Sequence, residues 1–598
     1  MNLNLRTINL KKTYDAIVIG TGAAGGFAAK ELSEGGLEVL VLEAGPRLDP
    51  AKDFKTHAWP YEMPFRGFGR PGERERSYWN CWTADEYSRN LYVDDREHPY
   101  STESGKPFRW VRSRFVGGKL LHWSRHAKRF SNLDFRAADH DGYGDNWPIT
   151  YEDLAPYYDH VESFVGVSGS IENIPHLPDG TFLPPMPLTC GERFVQKTAP
   201  KLGMKVIPTR TAQRTRPING LAPCHYCGSC GRGCDVGGMW NSISDTLPAA
   251  ERTGRMTLRP NSVVRHVVVD ENGKPKGVLF VDRLSKQNYE VRGKVIVLGA
   301  SALESTRILL NSVSRFWPQG LANSSGTLGR YLMDDIGGPS ISGFLPIMMG
   351  RDPVNEDGKS TGVEIVPYRN ITTRHPRFIR SYTHEGGAGV RLFPGFARAM
   401  EGFGSGFKKR IKRYYTAPVS FNLRGEMLAR RENYVEIDKT LVDPWGIPVL
   451  KIHCEFSDNE RAMARDAVEN LRELFDALGA EVWRVTEELM PPGSIIHEMG
   501  TCRMGKDSKT SVLNGFNQAH EIANLFVVDG SSFVTSGGFA PTLTIGALAA
   551  RAADYIVDQL KQGSLVAAVH PRTPRRLPEN AGRFLGCPGE NPLHILFS

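Results

Sequence analysis

Between Tyr14 and Glu43 the apolar positions change period twice. Tyr14-Asp-Ala-Ile-Val-Ile-Gly20 is a short run rich in β-branched residues, the pattern of a buried strand. A stretch through Ala28, Ala29 and Leu32 reads as a helix, and Glu38-Val-Leu-Val-Leu-Glu43 reads as a second strand. Further along, Val263, Val264 and Val267 to Val269 make one β-branched run, and Val295-Ile-Val-Leu298 makes another. Gly299-Ala300-Ser301 opens a predicted helix through Leu303, Ile308 and Leu309. Leu525-Phe-Val-Val528 predicts a strand ending at Asp529-Gly530. After it, Leu543, Ala547, Ala550, Ala553 and Ile556 line one face of a predicted helix over 542–557. The stretch 330–450 is different. Short runs (Gly362-Val-Glu-Ile-Val366, Tyr434-Val-Glu-Ile437, Ile447-Pro-Val-Leu-Lys-Ile452) alternate with Gly and Pro, which predicts an antiparallel sheet. A helix is expected from Asp458 to Leu478, and no internal repeat is visible.

The first strand–helix–strand carries chemistry. Gly20-Thr-Gly22-Ala-Ala-Gly25 sits at its turn. Gly20 permits a tight turn, Gly22 lets backbone approach a pyrophosphate, and Gly25 lets the helix pack against the strand. The helix start offers free N–H groups and the positive end of its dipole. Glu43 closes the second strand about 20 residues on, where a carboxylate accepts ribose hydroxyls. With all these parts in place the unit reads as a dinucleotide site, and a Gly-rich packing turn is the plainer alternative.

Composition narrows this only slightly. Among 598 residues, apolar types make up 40 % and charged types 23 %, a globular balance that excludes wholesale disorder. The length exceeds what one core usually spans, so two or more are expected. A formal net charge of +8, with no Lys/Arg-dense arm, does not point to nucleic acid. Lys408-Lys-Arg-Ile-Lys-Arg413 reads as a solvated face, with docking of an acidic partner as the alternative. No window holds the roughly 18 consecutive apolar residues of a membrane span. The N-terminus lacks the apolar region of a signal peptide. The expected location is cytoplasmic, or periplasmic if a partner subunit carries the chain.

Nine cysteines are too few for a disulfide scaffold. Cys81, Cys190, Cys454, Cys502 and Cys587 are scattered and read as buried small apolar residues. The other four, Cys224, Cys227, Cys230 and Cys234, have the spacing C-x2-C-x2-C-x3-C, with glycines between them that let the backbone curl. This is a ferredoxin-like spacing for a [3Fe–4S] or [4Fe–4S] cluster. A zinc site, with His225 as an alternative ligand, is the second reading, and no metal is the third.

Further motifs stand in a specific order: Val116-Gly-Gly-Lys-Leu-Leu-His-Trp123 with Lys128-Arg-Phe130, Val295 through Arg307, His497-Glu-Met-Gly-Thr-Cys-Arg-Met-Gly505, Asn524 through Ser531, and Pro541-Thr-Leu-Thr544. Together with the first unit they resemble the glucose–methanol–choline (GMC) family of FAD-dependent oxidoreductases over almost the whole chain. The cysteine loop, Glu426…Asn433-Tyr-Val-Glu and Trp445-Gly-Ile-Pro resemble large subunits of bacterial glucose, gluconate and, most of all, glucoside 3-dehydrogenases. The resemblance implies an α/β fold. A Rossmann-like FAD-binding domain, made of 13–130, 206–329 and 488–562, is interleaved with a substrate domain of 131–205 and 330–487 on an antiparallel sheet with helices. A tail follows at 563–598.

The resemblance also assigns roles. FAD would meet Gly117, Gly118 and His122, with Val263 or Val264 near the adenine and Asp529 and Gly530 at the ribityl–pyrophosphate stretch. His122 would contact the flavin, with a covalent link as the alternative. His497 would be the base, a role that suits an imidazole because its pKa lies near working pH. The family sets a second His or Asn where this chain has Ala540, which offers no side-chain hydrogen bond. His520 is one candidate to replace it. The implied reaction is oxidation of a sugar or glycoside hydroxyl, at C3 in the branch named, to a ketone. Electrons would leave through the cluster to a cytochrome c acceptor, with a small accessory subunit. The alternatives are an oxygen-using oxidase and a non-catalytic flavoprotein relay, the latter kept open by Ala540.

Overall fold

The β-branched runs form a parallel sheet because both of its faces are covered. The computed structural model describes residues 8–70, 72, 77–78, 80–353, 362–389, 394–563 and 565. In the first sheet, Thr13–Ile19 lies between Asn288–Leu298 and Val39–Leu42, parallel to both, with Ile17 opposite Ile296 and Leu40. Ile522–Val527 extends the parallel set beyond Asn288–Leu298, and Met256–Arg259 extends it beyond Val39–Leu42. Ser262–Val269 and Pro275–Asp282 add an antiparallel hairpin on Asn288–Leu298. Residues 16–19, 39–42 and 295–298 are all buried, as doubly covered strands require. Helix Ala23–Glu34 packs against Thr542–Lys561, which packs in turn on Tyr151–Val165.

The second sheet is antiparallel, in the order Glu481–Thr486, Ser340–Phe344, Pro418–Glu426, Tyr382–Ala388, Val363–Ile365 and Val206–Pro208. Along Pro418–Glu426 the period of two is plain. Val419, Phe421 and Leu423 are buried, while Ser420, Asn422 and Arg424 are half-buried on the other face. Val419 and Phe421 pack with Leu471, Leu474 and Phe475 of helix Asp458–Ala477. That helix starts at Ser457, whose N–H and hydroxyl both donate to the Glu460 carboxylate, a capping box.

The structure redraws three sequence expectations. Tyr434–Val442 and Pro448–His453 do not join the second sheet; they form a third one with Ser101–Thr102. Alternation predicts a strand but not its neighbours, so these runs could not be told from Val363–Ile365. Val206–Pro208 pairs with Val363–Ile365 in the second sheet, although 206 was the expected start of a cofactor-domain segment. Cys190, expected to be buried, is exposed; Cys81, Cys454 and Cys502 are buried. The basic run lies on helix Gly404–Tyr414, which buries no residue. Cys587 and nearly all of 563–598 lie outside the described residues. No helix among the described residues is long and apolar enough to cross a membrane.

Candidate active site

One cavity of about 630 Å³ opens at the carboxyl ends of the parallel strands, where α/β sheets place ligands. Gly20, Gly22, Glu43, Gly118, His122, Val263, Val264, His497, Asp529, Gly530 and Ala540 all line it. Gly25 and Gly117 stand just behind it. A Cβ on Gly25 would meet the Gly20 carbonyl oxygen at 2.0 Å. The Gly117 N–H donates to Thr21 Oγ1 at 2.9 Å, and that hydroxyl donates to Glu43 Oε2 at 2.5 Å. Glu43 Oε1 takes the Gly45 N–H. Each oxygen keeps lone-pair capacity for a further donor. Burial pushes the Glu43 carboxyl up.

The cradle fits a dinucleotide. Gly22 caps helix Ala23–Glu34 without a side-chain hydrogen bond, and a Cβ there would enter open cavity with no atom within 4 Å. Gly118, at φ +54°, faces it, its own Cβ position 3.7 Å from Gly22 Cα. Bare backbone on both sides, beside free helix N–H groups, suits a pyrophosphate. Asp529 is fixed by Ser305 Oγ on one oxygen and by the Ser531 N–H and hydroxyl on the other.

His122 lies across the cavity. Its Nε2 shares a hydrogen bond with Ser113 Oγ at 2.7 Å. Burial, with the Lys119 charge, lowers it to about 4, so the ring is neutral at neutral pH. His520 does not line the cavity; its Nε2 pairs with Ser511 Oγ at 2.9 Å.

At His497 the structure adds two acids. Asp335 Oδ2 sits 2.7 Å from His497 Nδ1, and Asp334 Oδ1 accepts the His497 backbone N–H at 2.9 Å. Asp334 Oδ2 also accepts the Ile495 N–H. The same carboxylate therefore grips both sides of Ile496, which is held at φ +69°. A β-branched residue there is strained. Burial, the dominant cause, pushes His497 down to about 4 and Asp334 up to about 7. Burial also raises Asp335. With Nδ1 taken by Asp335, Nε2 remains to face a ligand. Arg424 also lines the cavity, and its charge helps to lower His497; Glu385 Oε2 steadies it at 3.3 Å. Sequence reasoning missed Asp334, Asp335 and Arg424. An adjacent Asp pair before Ile-Gly-Gly was visible, but nothing in the sequence ties it to a histidine 162 residues away.

The cysteine loop forms another wall through Gly228, Ser229, Gly231 and Arg232. None of the four is in a disulfide. Gln213 Nε2 donates to Cys224 Sγ at 3.0 Å and to Cys230 Sγ at 3.8 Å. The Tyr226 and Gly238 N–H groups point to Cys224 and Cys234 Sγ. Burial raises Cys224 and Cys227, and takes Cys234 to about 11. No three of the sulfurs lie within 4.8 Å of one another. A single tetrahedral zinc needs thiolates about 3.8 Å apart, given its usual bond lengths. N–H groups aimed at the sulfurs are the outer hydrogen bonds that thiolate ligands of a metal centre take.

Family models for GMC oxidoreductase match residues 144–334 and 429–549. The 2-methyl-1,2-propanediol dehydrogenase of Mycolicibacterium austroafricanum is 31% identical over 558 residues, 91% of this chain and 95% of that protein. The chain belongs to the GMC oxidoreductase family. The fructose dehydrogenase large subunit of Gluconobacter japonicus is 27% identical, covering 92% of this chain and 98% of that one. The crystal structure of pyridoxine 4-oxidase from Mesorbium loti shares the fold, with a TM-score of 0.57 and 19% identity over 90% of this chain and 98% of that one. This GMC protein is therefore a FAD-dependent oxidoreductase acting on CH–OH groups of sugars or alcohols.

Proposed function

We propose that this GMC oxidoreductase is a dehydrogenase that oxidises a sugar or glycoside hydroxyl to a ketone, with C3 as one candidate position. Its electrons would pass through a cluster held by Cys224, Cys227, Cys230 and Cys234 to a cytochrome-type acceptor, with the help of an accessory subunit. The observation that carries this reading is the His497–Asp335 pair in a cavity that runs from the glycine cradle to the cysteine loop.

FAD would rest on Gly20, Gly22, Gly118, Glu43 and Asp529. It supplies the acceptor for the carbinol hydride. His497 is neutral at working pH and takes the hydroxyl proton at Nε2. Asp335 fixes the ring through Nδ1, so that Nε2 stays turned to the substrate. Arg424, which lines the same cavity as His497 and Ala540, offers a guanidinium to steady the oxygen as it becomes anionic. A positive charge in the cavity holds an alkoxide by attraction, a task the family's second His or Asn would do by hydrogen bonding. The names of relatives agree with this substrate class: one is a fructose dehydrogenase subunit and another a gluconate 2-dehydrogenase flavoprotein.

The test is anaerobic. Purified protein is mixed with a panel of sugars and glycosides while the flavin absorbance is followed, and iron and sulfide are assayed on the same sample. Bleaching by a sugar together with bound iron is expected. Hydrogen peroxide as the main product in air would favour an oxidase, and zinc without iron would remove the cluster.

A further inference from the structure

A second group of ligating side chains lies beside the cysteine loop and outside the cavity. His57 Nε2 is 3.1 Å from Asp235 Oδ2. The His57 and His225 rings stand 5.1 Å apart, inclined by 45°. One ligand atom from each of the three residues lies within 4.8 Å of the others. His57 comes from a segment far away in sequence, so this meeting is not a by-product of the cysteine spacing. That segment is latched in two further ways. Thr56 Oγ1 donates to the Gly233 carbonyl at 3.0 Å. The Phe54 ring packs so closely under Gly233 that a Cβ there would meet it at 2.4 Å.

We propose that His57, His225 and Asp235 hold a zinc ion that ties segment 54–57 to the cysteine loop. Two imidazoles and one carboxylate are a ligand set for zinc, with water in the fourth position; calcium and magnesium prefer oxygen ligands throughout. The carboxylate is already oriented, because Asp235 Oδ1 accepts the Val236 N–H at 3.0 Å, leaving Oδ2 to point at His57. A ligand held by an outer hydrogen bond is typical of built metal sites. Both histidines are exposed and Asp235 is half-buried, so water reaches the ion. None of the three lines the cavity. The ion is thus a clip on the loop and takes no part in the hydride step. It is also separate from whatever the four thiols carry.

The full-length flavoprotein is incubated with zinc sulfate, desalted and analysed for zinc, iron and FAD. One zinc per chain is expected to stay bound in the parent. Zinc-edge X-ray absorption should show nitrogen and oxygen neighbours at about 2.0–2.1 Å with no sulfur shell. His57→Gln and Asp235→Asn should each lose that zinc while FAD and iron stay at parental levels. Chelator should lower the melting temperature of the parent and leave that of His57→Gln unmoved. No retained zinc in the parent, a sulfur shell at about 2.3 Å, or His57→Gln holding as much zinc as the parent would each overturn the proposal. Iron content reports on the electron route separately, so the two readings fail independently.

Discussion

At the glycine cradle the backbone is held from both sides by strands: the Gly20 N–H donates to the Leu42 carbonyl, and the Gly299 N–H donates to that of Ile19. The cysteine loop borders the same cavity with little regular structure, a short helical turn at Cys230–Arg232 and a hydrogen-bonded turn closed by the Gly237 N–H on the Cys234 carbonyl. Its most connected anchor is one buried arginine. Arg214 donates to the carbonyls of Val165, Ala222, Gly237 and Met239 and pairs with Asp245 at 3.3 Å. The Arg214 carbonyl, in turn, accepts the Cys224 N–H. In the first region many weak, repeated contacts share the task. In the second a few side chains do it, Arg214 with the most bonds, beside Thr56 on the Gly233 carbonyl and Gln213 on two sulfurs. The difference teaches where each region is fragile: the cradle to added bulk, the loop to one lost charge.

The largest effect is expected where bulk enters the cradle. Gly25→Val drives side-chain atoms into the Gly20 carbonyl, already 2.0 Å from a mere Cβ, and should cost about 3 kcal/mol or more as overpacking with no room to relax. Gly22→Val enters open cavity, so the apo-protein should unfold in urea within about 0.5 kcal/mol of the parent, as surface changes do, yet carry no FAD. Full flavin occupancy in Gly22→Val would defeat the cradle assignment.

His497→Ala should keep FAD and lose about 10²–10⁴-fold in sugar-dependent flavin reduction, the usual contribution of a general base. Both kcat and kcat/KM should fall, while dithionite still bleaches the flavin. In the parent the same rate should be flat around neutral pH and fall as pH drops through about 4, where His497 takes up a proton. Because His122 titrates in the same range, the limb should persist in a His122→Asn variant. A limb that vanishes there belongs to His122 instead.

Arg214→Met sharpens the contrast from the other side. Asp245 would be left buried and uncompensated, at a cost of about 3–5 kcal/mol. Limited proteolysis should then cut within 222–236 while FAD stays bound. Simultaneous loss of FAD would show that the two walls are one cooperative unit. The smallest effect is expected from Arg424→Gln: about 10- to 100-fold in flavin reduction, the worth of one hydrogen bond to a charged group, with KM little changed. An unchanged rate would leave the place of the missing side chain at Ala540 unfilled.

The same contrast decided what the sequence could tell. The parallel strands were legible because Ile17, Leu40 and Val297 belong to uninterrupted apolar runs, and the turn because Gly20, Gly22 and Gly25 lie within six residues. Helices Asp458–Ala477 and Thr542–Lys561 followed from periodicity alone. Strand Tyr382–Ala388 was missed, since Gly386, Gly387 and the charge of Glu385 mask its alternation, whereas in Pro418–Glu426 the alternation of Val419, Phe421 and Leu423 with polar residues was there to be read. Asp334 and Asp335 reach His497 only through the tertiary fold, and so does Arg424. A lone acid or arginine in a sequence has no period to betray it.

The parallel sheet also sets a timetable. Its central strand, Thr13–Ile19, is made well before one neighbour, Asn288–Leu298, and longer still before Ile522–Val527, which pairs with that neighbour. At ribosomal speeds of about 5–20 residues per second that wait is roughly half a minute to two minutes. Asp529 and the start of Thr542–Lys561, which complete the cavity, arrive last of all. Until then the nascent protein carries an open, apolar strand edge of the kind that chaperones cover and that aggregates grow from.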